Sequence, residues 1–311
     1  MVKAKFGRIG ILMGGPSEER EISLKSGKAV YESLKDEGFD VVSIDITTDD
    51  VEENIEKIKS FELDVAFIAL HGRFGEDGRI QAILEKLKIP YTGSGALASK
   101  LALDKVLSRK IFEVYRLNVP SYRVVDKVSF NENFLYIDKL KFPLVVKPAT
   151  QGSSIGLSIV DNKKDLSKAV EKAFVFDTRI ILEEYIKGRE LTVGILNEDA
   201  LPVIEILPKK RFFDYEAKYT IGMTEYIVPA PLDKITTLKV KKAALCAHRY
   251  LGCFGFSRID MILKDSLPYI LEVNTIPGLT QTSLLPKAAK AAGITFNQLC
   301  IELIKSAYNR I

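Results

Sequence analysis

The stretch FSRIDMILKDSLPYILEVN, from Phe256 to Asn274, decides the fold prediction for the last third of the chain. Successive side chains of a β-strand point to opposite faces, so alternation of polar and apolar residues indicates a half-buried strand. In the first half of the stretch, Arg258 and Asp260 alternate with apolar residues. In the second half, Leu271 and Val273 are expected together on the buried face. The stretch therefore predicts two strands, each presenting a polar pair to one face.

The polar pairs converge if the two strands are neighbours joined through the turn at 264–268. Asp260, Glu272 and Asn274 then bring two carboxylates and an amide oxygen together beside Arg258. Hard oxygen ligands of this kind suit Mg²⁺, which takes the rest of its shell from water and phosphate. The alternative is a solvated outer sheet face with incidental charges. Two polar pairs in succession favour the metal site.

Towards the amino terminus, short apolar runs alternate with amphipathic stretches. Ile9–Met13, Val41–Ile46 and Val65–Leu70 are typical of strands, while apolar residues recur at helical spacing within 24–34 and 80–87. This βαβ pattern predicts a parallel sheet.

The middle of the chain is typical of a small α+β unit. One helical stretch is predicted over 97–115, and strands are predicted at Leu144–Lys147 and Ile180–Tyr185. In the last third, the pattern predicts a strand at Leu201–Leu207 and a long helix over about 234–251.

Composition excludes several classes of protein. The 311 residues carry 45 basic and 41 acidic side chains, and the net charge of +4 is scattered, which argues against a nucleic-acid-binding surface. The opening apolar run, Ile9–Met13, is too short for a signal peptide or a membrane span, so a cytoplasmic location is expected. Three cysteines and two histidines, without metal-type spacing, argue against a disulfide framework and a zinc site.

Three further segments carry candidate chemistry, and each has an ordinary structural alternative. VVKPATQGSSIG at 145–156 places Lys147 before a glycine- and serine-rich loop, which can bind phosphate or form a plain hairpin. GGPSEEREISLKSG at 14–27 puts three glutamates near a helix start, which favours a bound ammonium but also fits helix capping. His71 follows the third strand, where ligands commonly bind, although a structural hydrogen bond is favoured for a lone histidine.

Taken in order, these segments closely resemble the D-alanine–D-alanine ligases of the ATP-grasp superfamily. The resemblance covers essentially the whole chain, so the ordered set is far more specific than any one segment. The matching stretches are GGPSEEREISLKSG, HGRFGEDGRIQ, PYTGSG, LDK at 103–105, VVKPATQGSSIG, DYEAKY at 214–219, GFSRIDM and LEVNTIPGLTQTSLLP.

The resemblance implies an ATP-grasp fold that combines α/β and α+β parts. It divides the chain into an N-terminal parallel-sheet (preATP-grasp) domain at 1–97, a central ATP-grasp subdomain at 98–185, and a C-terminal ATP-grasp and catalytic subdomain at 186–311. The two α+β subdomains are expected to clasp ATP, with D-alanine bound against the first domain.

The resemblance also implies the residues of the site. It assigns ATP binding to Lys105, Lys147, Ser154, Glu183, Glu184, Tyr185, Ile186 and Glu190. It assigns catalytic roles to Glu19, Ser153, Tyr219, Arg258 and Gly278. It assigns substrate binding to His71, Lys218, Ser283 and Leu284, and metal binding to Asp260, Glu272 and Asn274.

The chemistry implied by the resemblance is ATP-dependent formation of D-alanyl-D-alanine for peptidoglycan synthesis. A D-alanyl phosphate forms first, and the amine of a second D-alanine then attacks it. Two Mg²⁺ ions, with Mn²⁺ as a substitute, offset the phosphate charge. The polar stretch at 208–226 is expected to close over the site as a lid, because water would hydrolyse the acyl phosphate.

D-alanine is the expected small-molecule partner, and the resemblance implies a homodimer without nucleic acid or membrane insertion. A ligase that takes D-lactate as second substrate is the nearest alternative, although Tyr219 after Lys218 resembles the dipeptide-forming members. An ATP-grasp ligase for another amino acid is a further alternative. A non-catalytic ATP-binding module would tolerate loss of a metal ligand, but the predicted ligands are all present.

Overall fold

A computed structural model of the chain describes residues 6–128, 140–209 and 223–309. The first third is the predicted βαβ unit, a parallel sheet in the order β2-β1-β3. A helix absent from the sequence prediction, α2, lies between the second and third strands and begins at the N-cap Asp50. The elements are β1 (Arg8–Gly14), α1 (Arg20–Asp36), β2 (Asp40–Ile46), α2 (Val51–Lys59), β3 (Val65–Ile68) and α3 (Arg79–Leu87).

The middle of the chain forms an antiparallel sheet in the order β4-β7-β5-β6. The single helix predicted over 97–115 is wrong, because Asp104 is extended and divides it in two. The Asp104 side chain accepts hydrogen bonds from the backbone of Val106 and Leu107, which caps the second helix. The elements are α4 (Ala96–Leu103), α5 (Lys105–Val114), β4 (Tyr122–Asp126), β5 (Leu144–Pro148), β6 (Ser158–Val160), α6 (Leu166–Phe174) and β7 (Arg179–Glu184).

The last third forms a sheet in the order β11-β10-β8-β12-β13, with β9 paired to β8. The strand predicted at Leu201–Leu207 begins only at Ile204, because the chain first makes a tight hairpin through β9. The elements are β8 (Arg189–Leu196), β9 (Asp199–Ala200), β10 (Ile204–Pro208), β11 (Thr224–Ile227), α7 (Lys234–Tyr250), β12 (Phe256–Lys264), β13 (Leu267–Asn274), α8 (Leu284–Ala291) and α9 (Phe296–Tyr308).

The pairing of β12 with β13 confirms the predicted convergence of polar residues. Asp260 lies directly opposite Glu272, and Arg258 lies opposite Asn274. The expectation for Leu271 is wrong: the register shifts after Asp260, so Leu271 occupies a bulge and lines the same cavity as Glu272. A β-bulge inserts one extra residue and redirects the side chains beside it.

The hydrophobic core joins the two ends of the chain. Buried residues of β1, β3 and α1 pack in one cluster with those of α8 and α9, including Leu299 and Leu303. At the end of α9, the Tyr308 hydroxyl donates to the carbonyl of Phe6 over 2.8 Å. Across the part of the chain that the structure describes, no helix combines the length and apolar character needed to cross a membrane.

Candidate functional site

Two adjoining cavities hold the predicted site residues. The first, of about 440 Å³, lies between the four-stranded and six-stranded sheets, and we call it the sheet cavity. The second, of about 470 Å³, lies where the start of α1 and the loops after β3 and β13 meet, and we call it the loop cavity. Lys105 and Glu272 line both cavities, so they form a common wall.

The predicted residues divide between the cavities according to their expected partners. Each residue assigned to ATP lines the sheet cavity, as do Asp260 and Glu272. The loop cavity is lined by Glu19, His71, Ser153, Arg258, Glu272, Asn274, Gly278, Ser283 and Leu284. Tyr219 and Lys218, with the rest of the DYEAKY stretch, lie outside the described residues.

A buried group of charges forms one wall of the sheet cavity. Glu183 on β7 pairs with Lys147 on β5, with 2.8 Å between Nζ and Oε1, and with Arg109 on α5. Burial lowers the pKa of Lys147 to about 8, against the opposing effect of Glu183. Burial opposes ionisation of Glu183, but the charges of Arg109 and Lys147 outweigh it and lower the pKa of its carboxyl.

Lys105 supplies a second cation to the common wall. Its ammonium lies 3.3 Å from a carboxylate oxygen of Glu272 and donates to the Gln151 carbonyl over 2.7 Å. The residue begins α5, and its backbone N–H donates to Ala149, so the cap at Asp104 and the loop after β5 together fix its position. The common wall can therefore offer an ammonium to a ligand on either side.

Asp260 and Arg258 form a bidentate ion pair at the edge of the loop cavity. Arg258 Nε and Nη2 donate to the two carboxylate oxygens over 2.9 and 2.6 Å, and Thr192 Oγ1 donates to Asp260 over 2.6 Å. Asn274 Oδ1 accepts a hydrogen bond from the backbone of Ile276. These partners hold the predicted metal-binding oxygens in place on β12 and β13.

The three predicted metal ligands fit a hard divalent cation by their chemistry. Asp260 and Glu272 are directly opposed oxygen donors beside a cavity that also contains cationic residues, and Asn274 adds a neutral oxygen. Within residues 6–128, 140–209 and 223–309, no group of three or more His, Cys, Asp or Glu side chains is arranged to hold a metal. The fit therefore depends on the amide oxygen and on oxygens of a bound ligand.

Glu19 and Ser153 connect the start of α1 to the loop after β5. Glu19 stands at the N-cap of α1 but makes no capping hydrogen bond there, so capping does not explain it. Instead Ser153 Oγ donates to Glu19 Oε1. A Cβ at Gly152 would lie 3.0 Å from Glu19 Oε2, so the loop passes close to this carboxylate. The result is a carboxylate aimed into the loop cavity, suited to an ammonium.

His71 is buried with both ring nitrogens engaged. Nδ1 lies 3.0 Å from the Ile276 carbonyl, so it carries the proton, and Nε2 lies 2.9 Å from Ser26 Oγ. Ser26 also accepts from the backbone of Leu279. His71 therefore ties α1 to the loop after β13, in agreement with the structural role favoured from the sequence pattern.

Several residues of the site escaped the sequence prediction. Glu76 lines the loop cavity, and burial raises the pKa of its carboxyl against the opposing hydrogen bond from His71, with the charge of Glu19 adding to the rise. Its place five residues after His71 in HGRFGEDGRIQ was an available signal. Arg109 had no such signal, because it lies within an amphipathic helix whose packing alone buries it beside Glu183.

The sequence matches the models of two protein families. The D-ala D-ala ligase C-terminus matches residues 111–305, and the D-ala D-ala ligase N-terminus matches residues 8–57 and 48–94. The chain is similar to a D-alanine–D-alanine ligase of Geotalea uraniireducens, 46% identical, with 99% of this chain and 97% of that protein covered. It is similar to a second such ligase, of Desulforamulus reducens, 45% identical, with 96% and 98% covered.

The fold is similar to that of a crystal structure of D-alanine–D-alanine ligase from Bacillus anthracis complexed with ATP. The TM-score is 0.87 and the identity 38%, with 97% of this chain and 98% of that chain covered. A second crystal structure of the Bacillus anthracis enzyme gives a TM-score of 0.88 at 40% identity, with the same coverage.

Proposed function

The chain belongs to the D-alanine–D-alanine ligase family, and from that premise we propose that its sheet cavity binds ATP while its loop cavity binds two D-alanine molecules. The overall reaction is that of an ATP-dependent ligase, which joins two D-alanine molecules and releases ADP and phosphate. The single observation that supports placing ATP in one cavity and D-alanine in the other is the common wall, because Lys105 and Glu272 line both cavities.

ATP binding is supported by the charge and shape of the sheet cavity. Lys147 and Lys105 provide two ammonium groups for phosphate oxygens, and Ser154 lies on the adjoining loop. The segment from Glu183 to Ile186 also lines the sheet cavity, where its backbone groups can hydrogen-bond a base, and Glu190 can accept from a ribose hydroxyl. The ATP complex of the Bacillus anthracis enzyme supports the same assignment.

Asp260, Glu272 and Asn274 are the proposed magnesium ligands, for two ions that Mn²⁺ can replace. Magnesium supplies positive charge that stabilises the terminal phosphates during transfer. Arg258 and Lys105 hold the two carboxylates in the present arrangement. Supporting this set are the direct opposition of Asp260 and Glu272 and their position on the sheet cavity.

In the loop cavity, the carboxylate of Glu19 receives the ammonium of the first D-alanine. Ser153 orients this Glu19 carboxylate through its hydrogen bond. This leaves the substrate carboxylate directed at the common wall and the γ-phosphate beyond it. Arg258 and the backbone of Gly278 line the cavity where an oxyanion would form. Ser283 and Leu284 are the proposed cradle for the second substrate, together with Lys218, and Tyr219 is the proposed partner of Ser153.

Two covalent steps follow from this placement. A carboxylate oxygen of the first D-alanine attacks the γ-phosphorus, and the bond to ADP breaks. The neutral amine of the second D-alanine then attacks the acyl carbon, and the tetrahedral intermediate expels phosphate, which carries away the proton lost by the amine, to leave the peptide bond. Lys147 and Lys105 hold the phosphates during the first step, and Arg258 stabilises the oxyanion of the second.

The experiment that tests the proposal is phosphate release with three acceptor substrates. Purified protein with ATP and Mg²⁺ is expected to release phosphate with D-alanine, but not with L-alanine alone. D-lactate added to D-alanine is expected to give no depsipeptide when the products are separated by mass. Absence of phosphate release that depends on D-alanine would contradict the proposal, and nucleotide binding without any turnover would favour a non-catalytic nucleotide site.

Three further assignments remain proposals that rest on the family resemblance. We infer a cytoplasmic homodimer and a division of the chain into domains at 1–97, 98–185 and 186–311. In support of the division, the three sheets span 8–68, 122–184 and 189–274. Light scattering of the purified protein would test the dimer.

A further inference from the structure

We propose that Lys25 binds the carboxylate of the second D-alanine, an inference that rests on the proposed function. Lys25 lies on the second turn of α1 and lines the loop cavity. Ile22, three residues earlier, lines the same cavity. Residues three apart share one face of a helix, so α1 presents an apolar and a cationic side chain together to the substrate.

The loop after β13 lies directly beside this face of α1. The hydroxyl of Ser26, next to Lys25, accepts from the backbone N–H of Leu279 over 3.3 Å. Thr282 and Ser283, which follow in the same loop, line the cavity with Lys25. A carboxylate held by this loop would therefore lie on the side of the cavity from which Lys25 approaches.

The charges of the loop cavity leave Lys25 available for a ligand. Lys105 pairs with Glu272, and Arg258 pairs with Asp260 through two hydrogen bonds. Among the described residues, Lys25 has no carboxylate within ion-pair distance, and its side chain is exposed. A zwitterionic substrate brings its own carboxylate, which supplies the missing counter-charge.

The two D-alanine carboxylates can be told apart by what each must do. That of the first substrate reacts with the γ-phosphate, so it must face the common wall of Lys105 and Glu272. That of the second substrate does not react and only orients the amine. It can therefore point away from the common wall, towards Ser283 and Lys25. This geometry assigns Lys25 to the second substrate.

The test compares Lys25→Met with Lys28→Met in the full-length protein. Lys28 lies one turn further along α1, pairs with Glu32 at 3.8 Å, and does not line the loop cavity. An exposed charge pair has a modest effect, so K25M should raise the Michaelis constant for the second D-alanine about fivefold at low ionic strength. The constant for the first D-alanine and kcat should stay unchanged, and K28M should match the unaltered protein.

Two further measurements separate substrate binding from a structural effect. Hydroxylamine in place of the second D-alanine traps the acyl phosphate, and K25M should leave this trapping rate unchanged. Raising the salt concentration should shrink the difference between K25M and the unaltered protein, because salt screens exposed charges. Lys25→Arg should retain most of the affinity, since it keeps the charge.

Equal effects of K25M and K28M, or no change in the second Michaelis constant, would overturn the assignment of Lys25. A loss of hydroxamate formation in K25M equal to its loss of dipeptide formation would also overturn it, because the first step would then be affected. Failure of the underlying proposal looks different: the unaltered protein itself would then show no phosphate release that depends on D-alanine.

Discussion

In the proposed reaction, Arg258 stabilises the oxyanion of the second chemical step. Its guanidinium is held by Asp260 and borders the loop cavity, so it is oriented before substrate arrives. Removing a preorganised oxyanion donor typically lowers kcat by a factor of about 10² to 10³. We therefore expect Arg258→Ala to lower kcat by that amount at saturating ATP and D-alanine, measured as dipeptide formation.

The matched control is Arg249→Ala, which removes an exposed arginine that pairs with Glu198 and lines neither cavity. It should leave kcat unchanged. Arg258→Lys should also be impaired, because an ammonium cannot reproduce the bidentate contact with Asp260. Turnover near that of the unaltered protein in Arg258→Ala would remove the proposed oxyanion role.

If Lys147 binds phosphate as proposed, nucleotide binding should be sensitive to alkaline pH. Burial lowers the pKa of this lysine to about 8, so the ammonium is present below pH 8 and is lost as the pH rises through that value. We expect kcat/KM for ATP to fall above about pH 8, because a neutral amine no longer attracts phosphate. Arginine stays protonated over this range, so Lys147→Arg should remove the fall. If kcat/KM for ATP still falls above this pH in the Lys147→Arg variant, the titrating group is not Lys147.

At the scale of elements, the break between α4 and α5 positions a functional lysine. Asp104 caps α5 through two backbone N–H groups and pairs with Arg179, and Lys105 follows immediately. We expect Asp104→Ala to lower the free energy of unfolding by about 1 to 2 kcal/mol, since an N-cap typically contributes about 1 kcal/mol. The same variant should raise KM for ATP, because the cap fixes the position of Lys105.

Urea denaturation of Asp104→Ala and Asp104→Asn separates the two roles of this side chain. Asparagine keeps a capping oxygen but loses the charge that Arg179 pairs with. The asparagine variant should therefore lose less stability than the alanine variant. Equal losses in the two variants would show that the ion pair, rather than the cap, carries the stability.

The sequence pattern was informative where a single period governs an element. Alternation in 256–274 predicted the partners Asp260 and Glu272, because a period of two leaves few ways to pair two adjacent strands. It could not predict the bulge at Leu271, since an apolar residue facing a cavity fits the pattern as well as one facing the core. The bulge is a property of the pairing between β12 and β13, which the pattern along one strand does not encode.

Helix boundaries and buried charges were harder to predict for different reasons. Asp104 lies inside a continuous helical periodicity, so its capping role was hidden by the apolar residues on both sides. Arg109 and Glu183 are far apart in the sequence, and only the packing of α5 against β7 brings them together. Long-range ion pairs of this kind leave no local trace. The roles of Lys218 and Tyr219 stay predictions, since both lie outside the described residues.

At the scale of the whole molecule, β1, β3 and α1 share their core with the end of the chain. Leu299 and Leu303 of α9 are fully buried against β1, β3 and α1. Ser33 on α1 donates to Asn297 over 2.8 Å, which adds a polar contact between the same helices. A fragment that ends at residue 97 would expose this apolar surface to water.

We therefore expect the fragment 1–97 to lack a cooperative urea transition by circular dichroism, while the full chain unfolds cooperatively. In the full chain, Leu303→Ala should reduce the free energy of unfolding by about 2 to 5 kcal/mol, the usual range for a large-to-small change in a core. Tyr308→Phe, which removes only the hydroxyl bonded to Phe6, should cost less. A sharp transition in the isolated fragment would show that the first domain folds independently.

The common wall has a thermodynamic consequence. Lys105 and Glu272 form one ion pair that borders two binding sites, so a ligand that draws on either group alters the electrostatic field felt by the other ligand. Linkage requires the effect to be mutual: whatever factor ATP applies to the dissociation constant of D-alanine, D-alanine applies to that of ATP. We therefore expect any substrate synergy to depend on these two side chains, and calorimetric titrations in either order must close the same cycle.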